Sequence, residues 1–296
     1  MTTTLGTGAA VSAVNCPNMT AVGLNAAHSA ANSDFSVVIG GDAGYTLSAS
    51  PYSMLLGNSA GQQLQDALYA TVIGPSAARF ANGAEGAVIL GLAAGYSSVG
   101  VKYSILIGYA AGRGIVGGNA YSQILGYAAG EYADYSELSS FIGHHAGYKA
   151  DHSANLVAIG RFAGGWANYS TSSIMIGYQA GGVEKLDAQT EIPSAHHVAR
   201  GIYIGTGAGK DSSTTEDVIL IGTNSKATDG VVNAIALGKD AHAMVSNSMN
   251  VPVLKRTGGG VLVVDDAGNV TASDQLATAL AAIADLQARI AVLEGN

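Results

Sequence analysis

Short apolar runs recur along most of the chain, and each ends in an aliphatic residue followed by glycine. Clear copies read SILIGYAAG (residues 104–112), SQILGYAAG (122–130) and SIMIGYQAG (173–181). Each run holds three or four apolar residues, many of them β-branched, which is too short for a helix and typical of a strand. The pattern therefore predicts one short β-strand per copy, buried on both faces.

The copies follow one another with a nearly constant period. Nine of the twelve steps between successive marker glycines are 17 residues long, and the others are 18, 28 and 16. Self-similarity at such a short period predicts a solenoid, because one coil cannot bury its strand alone and stacked coils extend a continuous core. Thirteen coils would span on the order of 60 Å at the spacing of stacked strands. The marker glycines are Gly23, Gly40, Gly57, Gly74, Gly91, Gly108, Gly126, Gly143, Gly160, Gly177, Gly205, Gly222 and Gly238.

The aligned copies assign a role to each position. The residue before the marker glycine is aliphatic in all thirteen copies, and we expect it to be buried. The third residue after it is Ala in twelve copies and Ser225 in the other, which indicates a site too small for a larger side chain. Glycine recurs one residue later in nine copies, as at Gly44 and Gly112, and predicts a tight corner with positive φ.

Four segments are predicted from this pattern. Residues 246–272 contain GGVLVVDDAGNVTASD, which reads as two strands around a turn at 266–268. The last segment carries apolar residues at heptad spacing (Ile283, Leu286, Ile290 and Leu293) and predicts a short coiled coil. The predicted segments are an N-terminal lead-in (1–20), the repeat solenoid (21–245), a β-hairpin with linker (246–272) and the coiled coil (273–296).

One long step interrupts the period between Gly177 and Gly205. The stretch VEKLDAQTEIPSAHHVARG (183–201) accounts for 11 additional residues. A solenoid accommodates such an insertion as a loop on one face, either as a binding loop or as a tolerated insertion without a role.

Composition and charge narrow the possible function. Of the 296 residues only 11% are charged, the net charge is −8 and no run of Lys or Arg occurs, which argues against nucleic-acid binding. Cys16 is the single cysteine, so neither an internal disulfide nor a cysteine zinc site is expected. No secretory signal and no apolar stretch of membrane-spanning length is evident, which predicts synthesis in a cytoplasm without membrane insertion.

The repeat resembles the head repeats of trimeric autotransporter adhesins of the YadA type, similar segments of which occur in bacteriophage tail fibres and spikes. The resemblance covers about residues 20–245 and rests on copies such as SVVIGGDAG, SILIGYAAG and NAIALGKDAHA. It implies an all-β fold, a left-handed parallel β-solenoid or β-roll of about 13 coils, with three chains side by side and a coiled coil after the repeats.

Two departures from that family shape the functional expectation. The period of 17 is longer than the usual head repeat, and neither a signal peptide nor an outer-membrane anchor is evident. We therefore expect a phage or phage-like tail fibre or spike in the virion: a homotrimer that contacts other tail or particle proteins and a host cell-surface glycan or protein. The alternative is a decoration or spacer without a receptor of its own. An ice-binding solenoid is disfavoured, because the threonines do not recur in register.

Aromatic residues in register are the candidate receptor contacts. They either form a binding groove for sugar rings or only stabilise the sheet surface by cross-strand contacts. The candidates are Tyr96, Tyr109, Tyr127, His144, Tyr148, Trp166, Tyr178, His196 and His197.

No catalytic, metal or cofactor site is predicted. The paired histidines at 144–145 and 196–197 lack the spaced ligands of a metal motif. A glycan-cleaving spike would need paired carboxylates at a cleft. Glu131, Asp134 and Glu137 lie within one return segment and leave hydrolase activity open without requiring it.

Overall fold

The computed structural model describes residues 2–182, 197–210 and 212–250, and the backbone of 261–264 and 270–273. None of the described residues forms a helix of the length and hydropathy needed to cross a membrane. The strands are Thr3–Leu5 (β1), Thr20–Val22 (β2), Val37–Ile39 (β3), Met54–Leu56 (β4), Thr71–Ile73 (β5), Val88–Leu90 (β6), Ile105–Ile107 (β7), Gln123–Leu125 (β8), Ser140–Ile142 (β9), Val157–Ile159 (β10), Ile174–Ile176 (β11), Val198–Ala199 (β12), Ile202–Ile204 (β13), Thr215–Ile221 (β14), Lys226–Ala227 (β15), Val232–Leu237 (β16), His242–Ala243 (β17), Met249–Asn250 (β18), Val261–Val264 (β19) and Val270–Ser273 (β20).

The repeats form a parallel β-solenoid, as predicted. β1 to β11 pair in chain order, and β13, β14, β16 and β18 continue the same 16-stranded sheet, with β12 pairing to β14. The pairing places equivalent residues side by side, so that Leu106 is opposite Ile124 and Ile107 is opposite Leu125. Each repeat therefore lies directly on the next, and any side chain that recurs in the sequence recurs in space.

The solenoid begins earlier than the thirteen aligned copies. β1 lies in the segment predicted as a lead-in and pairs in parallel with β2. Gly6 follows β1 with φ +127°, close to the +132° of Gly23 in the next coil. The sequence signal was present, because Leu5, Gly6 and Ala9 repeat the motif of the other copies.

Strands β2 to β11 and β13 present their central side chain to the core and the other two to the outside. In β7, Leu106 is fully buried, whereas Ile105 and Ile107 are 39% and 36% exposed. The predictions that the residue before each marker glycine is buried, and that the strands are buried on both faces, are therefore wrong for the single chain. A three-residue strand alternates like any other, and its central residue is the one that points inward.

Small residues close the core opposite the strands. The alanines three positions after the marker glycine are fully buried from Ala26 onward, as is Ser225. The predicted corner with positive φ is confirmed at Gly44 and Gly112, with φ of 53° and 64°. A Cβ on Gly112 would overlap the end of the Leu106 side chain. Ala27 and Ala78 adopt the same positive φ at this repeat position, so glycine favours the corner but is not required in every coil.

Buried serines satisfy backbone groups between coils. The hydroxyl of Ser139 donates to the carbonyl of Ser153 at 3.0 Å and accepts the amide of Leu156 at 3.1 Å. Ser122 makes the equivalent contacts one coil earlier, donating to the carbonyl of Ser136 at 3.2 Å and accepting the amide of Ser139 at 3.3 Å. These bonds matter because a buried backbone group without a partner costs about 1–3 kcal/mol.

The C-terminal region forms a separate compact unit from Val253 onward. Its described strands, β19 and β20, pair antiparallel as expected for the predicted hairpin. The predicted coiled coil and residues 183–196 of the insertion lie outside the described residues.

Candidate functional site

Three of the candidate residues form one stack along the solenoid. Each occupies the position just after a marker glycine, so parallel pairing brings the rings together. Tyr109 and Tyr127 have ring centroids 4.9 Å apart and planes within 12°, and Tyr127 and His144 repeat this at 4.9 Å and 8°. Both tyrosines are nearly half exposed.

The stack continues into residues that the sequence reasoning did not select. The rings of His144 and His145 are 4.3 Å apart, and the ring of His145 stacks on Phe162 at 5.1 Å with planes within 2°. His145 and Phe162 share the second position after the marker glycine, where most copies carry small or polar residues. Their common register was the signal that could have identified them.

Two further candidates join through His145. The ring of Tyr148 meets His145 edge-on at 5.3 Å and Trp166 at 4.9 Å. Burial raises the pKa of the Tyr148 phenol, with Glu131 and Tyr132 acting in the same direction. Tyr148 is therefore a neutral hydrogen-bonding group at physiological pH.

Arg161 connects the last candidate to the others. Its guanidinium carbon lies 5.2 Å from the ring centroid of Phe162 and 5.8 Å from that of Tyr178. A guanidinium at these distances is attracted by the ring face. Tyr132 also meets Tyr148 edge-on, at 6.3 Å. We call the following part of this set the aromatic network: Tyr109, Tyr127, His144, His145, Tyr148, Arg161, Phe162, Trp166 and Tyr178.

The remaining candidates lie elsewhere. Tyr96 contacts Phe80 edge-on at 5.5 Å and has no ring contact to the aromatic network among the described residues. His197 ends a different stack of four rings, in which Tyr135, His152, Tyr169 and His197 follow at 4.7, 5.0 and 5.0 Å. This stack was not among the candidates as a whole, although its four residues share one repeat position, eight before the following marker glycine. His196 lies outside the described residues.

A second set of rings stacks just before the strands. Phe35, Tyr52 and Tyr69 follow one another at 5.1 and 5.4 Å, and Tyr103 stacks on Tyr121 at 5.4 Å. The coil between these two groups carries Gly86, and the ring of Tyr103 leans over it. All of these rings occupy the position five before a marker glycine, and they stack wherever successive coils carry a ring there.

The last side chain of most strands contributes to a continuous apolar row. We call the last residues of β2 to β11, β13, β14 and β16 the aliphatic stripe. All are Val, Leu or Ile, and all are exposed or half-buried. They are Val22, Ile39, Leu56, Ile73, Leu90, Ile107, Leu125, Ile142, Ile159, Ile176, Ile204, Ile221 and Leu237.

Two of the three carboxylates considered for hydrolysis have structural partners. Asp134 accepts the backbone amide of Val116 at 2.5 Å, and Glu131 lies 3.7 Å from the guanidinium of Arg113. Burial raises the pKa of Glu131, an effect that Arg113 and Lys149 oppose. In the described part of the chain no three His, Cys, Asp or Glu side chains are grouped to hold a metal ion.

Comparison with protein-family models and with curated proteins found no match. A search of solved structures found a similarity to the crystal structure of the collagen-binding domain of the Yersinia adhesin YadA. The two share 17% identity over 70% of this chain and 81% of that chain, with a TM-score of 0.23.

Proposed function

We propose that the chain is a non-enzymatic segment of a fibre or spike on a phage or phage-like particle, where it serves as a rigid extender and a host-surface adhesin. It is made in the host cytoplasm and incorporated into the virion beside other tail or particle proteins. The observation that carries the proposal is the aromatic network, whose Tyr109, Tyr127 and Tyr178 are exposed on a regularly hydrogen-bonded solenoid.

The solenoid supplies the rigidity that an extender needs. Successive coils are joined by backbone hydrogen bonds of nearly constant length. The amide of Gly108 donates to the carbonyl of Leu90 at 2.8 Å, and the amide of Ile105 donates to that of Ser122 at 2.9 Å. Because every coil is held by both neighbours, a surface on one coil keeps its position relative to the others.

The aliphatic stripe supports association of the chain with two further copies. A contiguous exposed apolar surface of this kind marks an interaction site in soluble proteins. Identical chains meet through identical stripes, whose regular spacing matches that of a second copy over the whole length. The number three follows the resemblance to trimeric head domains.

Light scattering of the purified full chain tests the trimer. We expect a mass near three times 29.6 kDa. Ile107→Lys together with Ile142→Lys places charge in the stripe and should release monomers. Val116→Lys is the matched control, because Val116 is 64% exposed outside the strands. A monomeric parent protein would overturn the trimer.

The aromatic network supports contact with a host glycan. An aromatic ring can pack on the C–H face of a sugar while a phenol or indole N–H makes hydrogen bonds. Three copies held rigidly would convert weak contacts into avidity, provided that they engage together.

Labelling of bacterial cells with fluorescent full-length protein tests the adhesin role. We expect at least one strain of a panel to be labelled, and Tyr148→Ala with Trp166→Ala to reduce labelling at least tenfold. The control is Tyr52→Ala with Tyr69→Ala, because these rings also stack but lie outside the aromatic network. Equal loss in both pairs would contradict a role for the network.

One observation favours the alternative of a spacer without a receptor. Within the stack, the ring faces of Tyr127 are covered by Tyr109 and His144, so a sugar could reach only the ring edges. Absence of labelling across strains and purified surface polysaccharides would establish the spacer.

A further inference from the structure

A cleft of about 290 Å³ opens in the coils just before the aromatic network, at the repeat positions that the network occupies further along the solenoid. This volume is near the lower end for ligand pockets, about 300 Å³, and suits one sugar ring rather than a long segment. The cleft is lined by Pro75, Ser76, Leu92, Ala93, Tyr96 and Arg113.

Tyr96 differs from the stacked tyrosines in its neighbours. Arg79 and Arg113 occupy the same repeat position, five after the marker glycine, in the coils before and after it. The guanidinium carbon of Arg113 lies 5.8 Å from the centroid of the Tyr96 ring, and Phe80 meets that ring edge-on. Part of the Tyr96 surface therefore faces the cleft instead of another ring.

The cleft combines an apolar wall with positive charge. Pro75 and Leu92 supply the wall, and Leu92 is exposed. Arg113 is 41% exposed, and within the described residues its one carboxylate partner is Glu131 at 3.7 Å, longer than a hydrogen bond.

Arg79 adds a second cation beside Tyr96. Its guanidinium carbon lies 4.7 Å from the Phe80 centroid, and its Nε is buried without a hydrogen-bond partner. It makes no ion pair with any described residue. A local excess of positive charge in a chain of net charge −8 favours an anionic ligand.

We infer that this cleft binds a carboxylate-bearing saccharide, with the sugar ring against Tyr96 and Leu92 and the carboxylate on Arg113. A guanidinium can donate two parallel N–H···O bonds to a carboxylate, which fixes the sugar's orientation. The inference deepens the proposed adhesin function and rests on it for biological meaning. The binding itself is measurable without cells.

Calorimetry with the full chain tests the inference, using methyl galacturonoside as the acidic probe and methyl galactoside as its neutral counterpart. We expect the acidic sugar to bind at least tenfold more tightly. Arg113→Gln should remove this preference, and Tyr96→Ala should weaken both sugars. Arg113→Lys keeps the charge but loses the two-pronged donor, and should retain only part of the preference.

Glu131→Gln provides a variant expected to improve binding. Removing the carboxylate that competes for Arg113 should strengthen binding of the acidic sugar about threefold without changing the neutral one. Lys239→Gln, which removes an exposed cation outside both the cleft and the aromatic network, is the control and should leave both affinities unchanged. Circular dichroism verifies the fold of every variant.

Specific results would overturn the inference. Equal binding of the two sugars, or an acidic preference that survives Arg113→Gln in a folded variant, would do so. The inference would also be overturned if inorganic phosphate bound the cleft as tightly as the acidic sugar does, because this would indicate an unspecific anion site. If cells are labelled equally by the parent and Arg113→Gln proteins and neither prefers the acidic sugar, the cleft inference fails while the adhesin role stands. If the acidic sugar binds but no cell is labelled, the adhesin role fails instead.

Discussion

The Nδ1 atoms of His144 and His145 lie 2.8 Å apart, so one ring must donate a proton to the other. If both rings carried a charge, two N–H groups would face each other at this distance. Burial lowers the pKa of His145, and the neighbouring His144 and Arg161 lower it further. The described fold therefore favours the neutral form of His145.

This geometry predicts a loss of stability in mild acid. A histidine whose pKa is lowered by folding stabilises the protein above its unfolded pKa of about 6.5, and the contribution is lost as the pH falls through the folded value. The groups facing His145 are Tyr127, His144, Tyr148, Phe162 and Arg161. Urea unfolding should show stability falling below pH 6.5, and His145→Phe should flatten that dependence while retaining the stack on Phe162.

His28→Phe is the matched control for the histidine pair. His28 stacks on Tyr45 at 4.9 Å, and its ring contacts no other histidine in the described part of the chain. A pH dependence that persists in His145→Phe and disappears in His28→Phe would contradict the assignment.

Asp151 should give a pH dependence of stability opposite in sign to that of His145. Its Oδ1 accepts the backbone amide of Asp134 at 3.0 Å. Burial raises the Asp151 pKa and the charge of Asp134 adds to this, against the amide hydrogen bond. A carboxyl whose pKa folding raises stabilises most below its unfolded pKa of about 3.9, and that stability is lost as pH rises through the folded value. Asp151→Asn should therefore stabilise the protein at pH 7 and change little at pH 3 in urea unfolding.

The next coil contains a natural control. Asn168 makes the same bond, its Oδ1 accepting the amide of Asp151 at 3.0 Å. An amide therefore fits this repeat position, and the reciprocal change Asn168→Asp should destabilise at pH 7. Equal pH profiles for the parent and Asp151→Asn proteins would contradict the prediction.

The sequence was sufficient for the solenoid because the period determines which residues are stacked. It was not sufficient for the direction of side chains in each strand. A run such as Ile105 to Ile107 is apolar throughout, so it contains no alternation that would distinguish the buried Leu106 from its exposed neighbours. The outer aliphatic residues suggested a strand buried on both faces because their side chains are as apolar as those of the core.

The candidate site could be predicted where its residues share one repeat position. Tyr109, Tyr127 and His144 share a register and stack as that register implies. The contact with Tyr148 and Trp166 depends on His145, which occupies the next repeat position after that of His144. The backbone of His145 has a positive φ of 56°. Contacts between residues at different repeat positions depend on such turn conformations, which an alignment of the repeats does not show.

Substitution of Tyr127 tests how much each stacked ring pair contributes to the free energy of unfolding. Its ring has two stacked neighbours, whereas Tyr109 has one in the described residues. Aromatic pairs are worth about 0.5–1.5 kcal/mol each, so Tyr127→Ala should lower the free energy of unfolding by about 1–3 kcal/mol and Tyr109→Ala by about half as much. Tyr127→Phe keeps both stacks and should change stability little. Urea unfolding measures all three, and equal losses at the two positions would contradict additive stacking.

Substitution of Gly108 tests why glycine occupies the marker position. Its φ is +133°, and a Cβ there would overlap the backbone carbonyl of Gly126 in the next coil. That carbonyl cannot move aside, because Gly126 in turn lies beneath Gly143 in the same way. Gly108→Ala should therefore separate the two coils and lower the free energy of unfolding by about 3 kcal/mol or more, a size typical of strained or overpacked sites.

Gly230→Ala separates the steric effect from the conformational one. Gly230 also has positive φ, at +78°, but no heavy atom lies within 4 Å of its added Cβ. Alanine should cost only about 1–2 kcal/mol at this position, the price of a left-handed backbone alone. Hydrogen exchange locates the damage, because the coils of a solenoid depend on their nearest neighbours. We expect amides of β7 and β8 to exchange faster in Gly108→Ala and those of β3 to stay protected. Similar losses for the two variants would mean that backbone conformation, and not the contact between coils, demands glycine at the marker position.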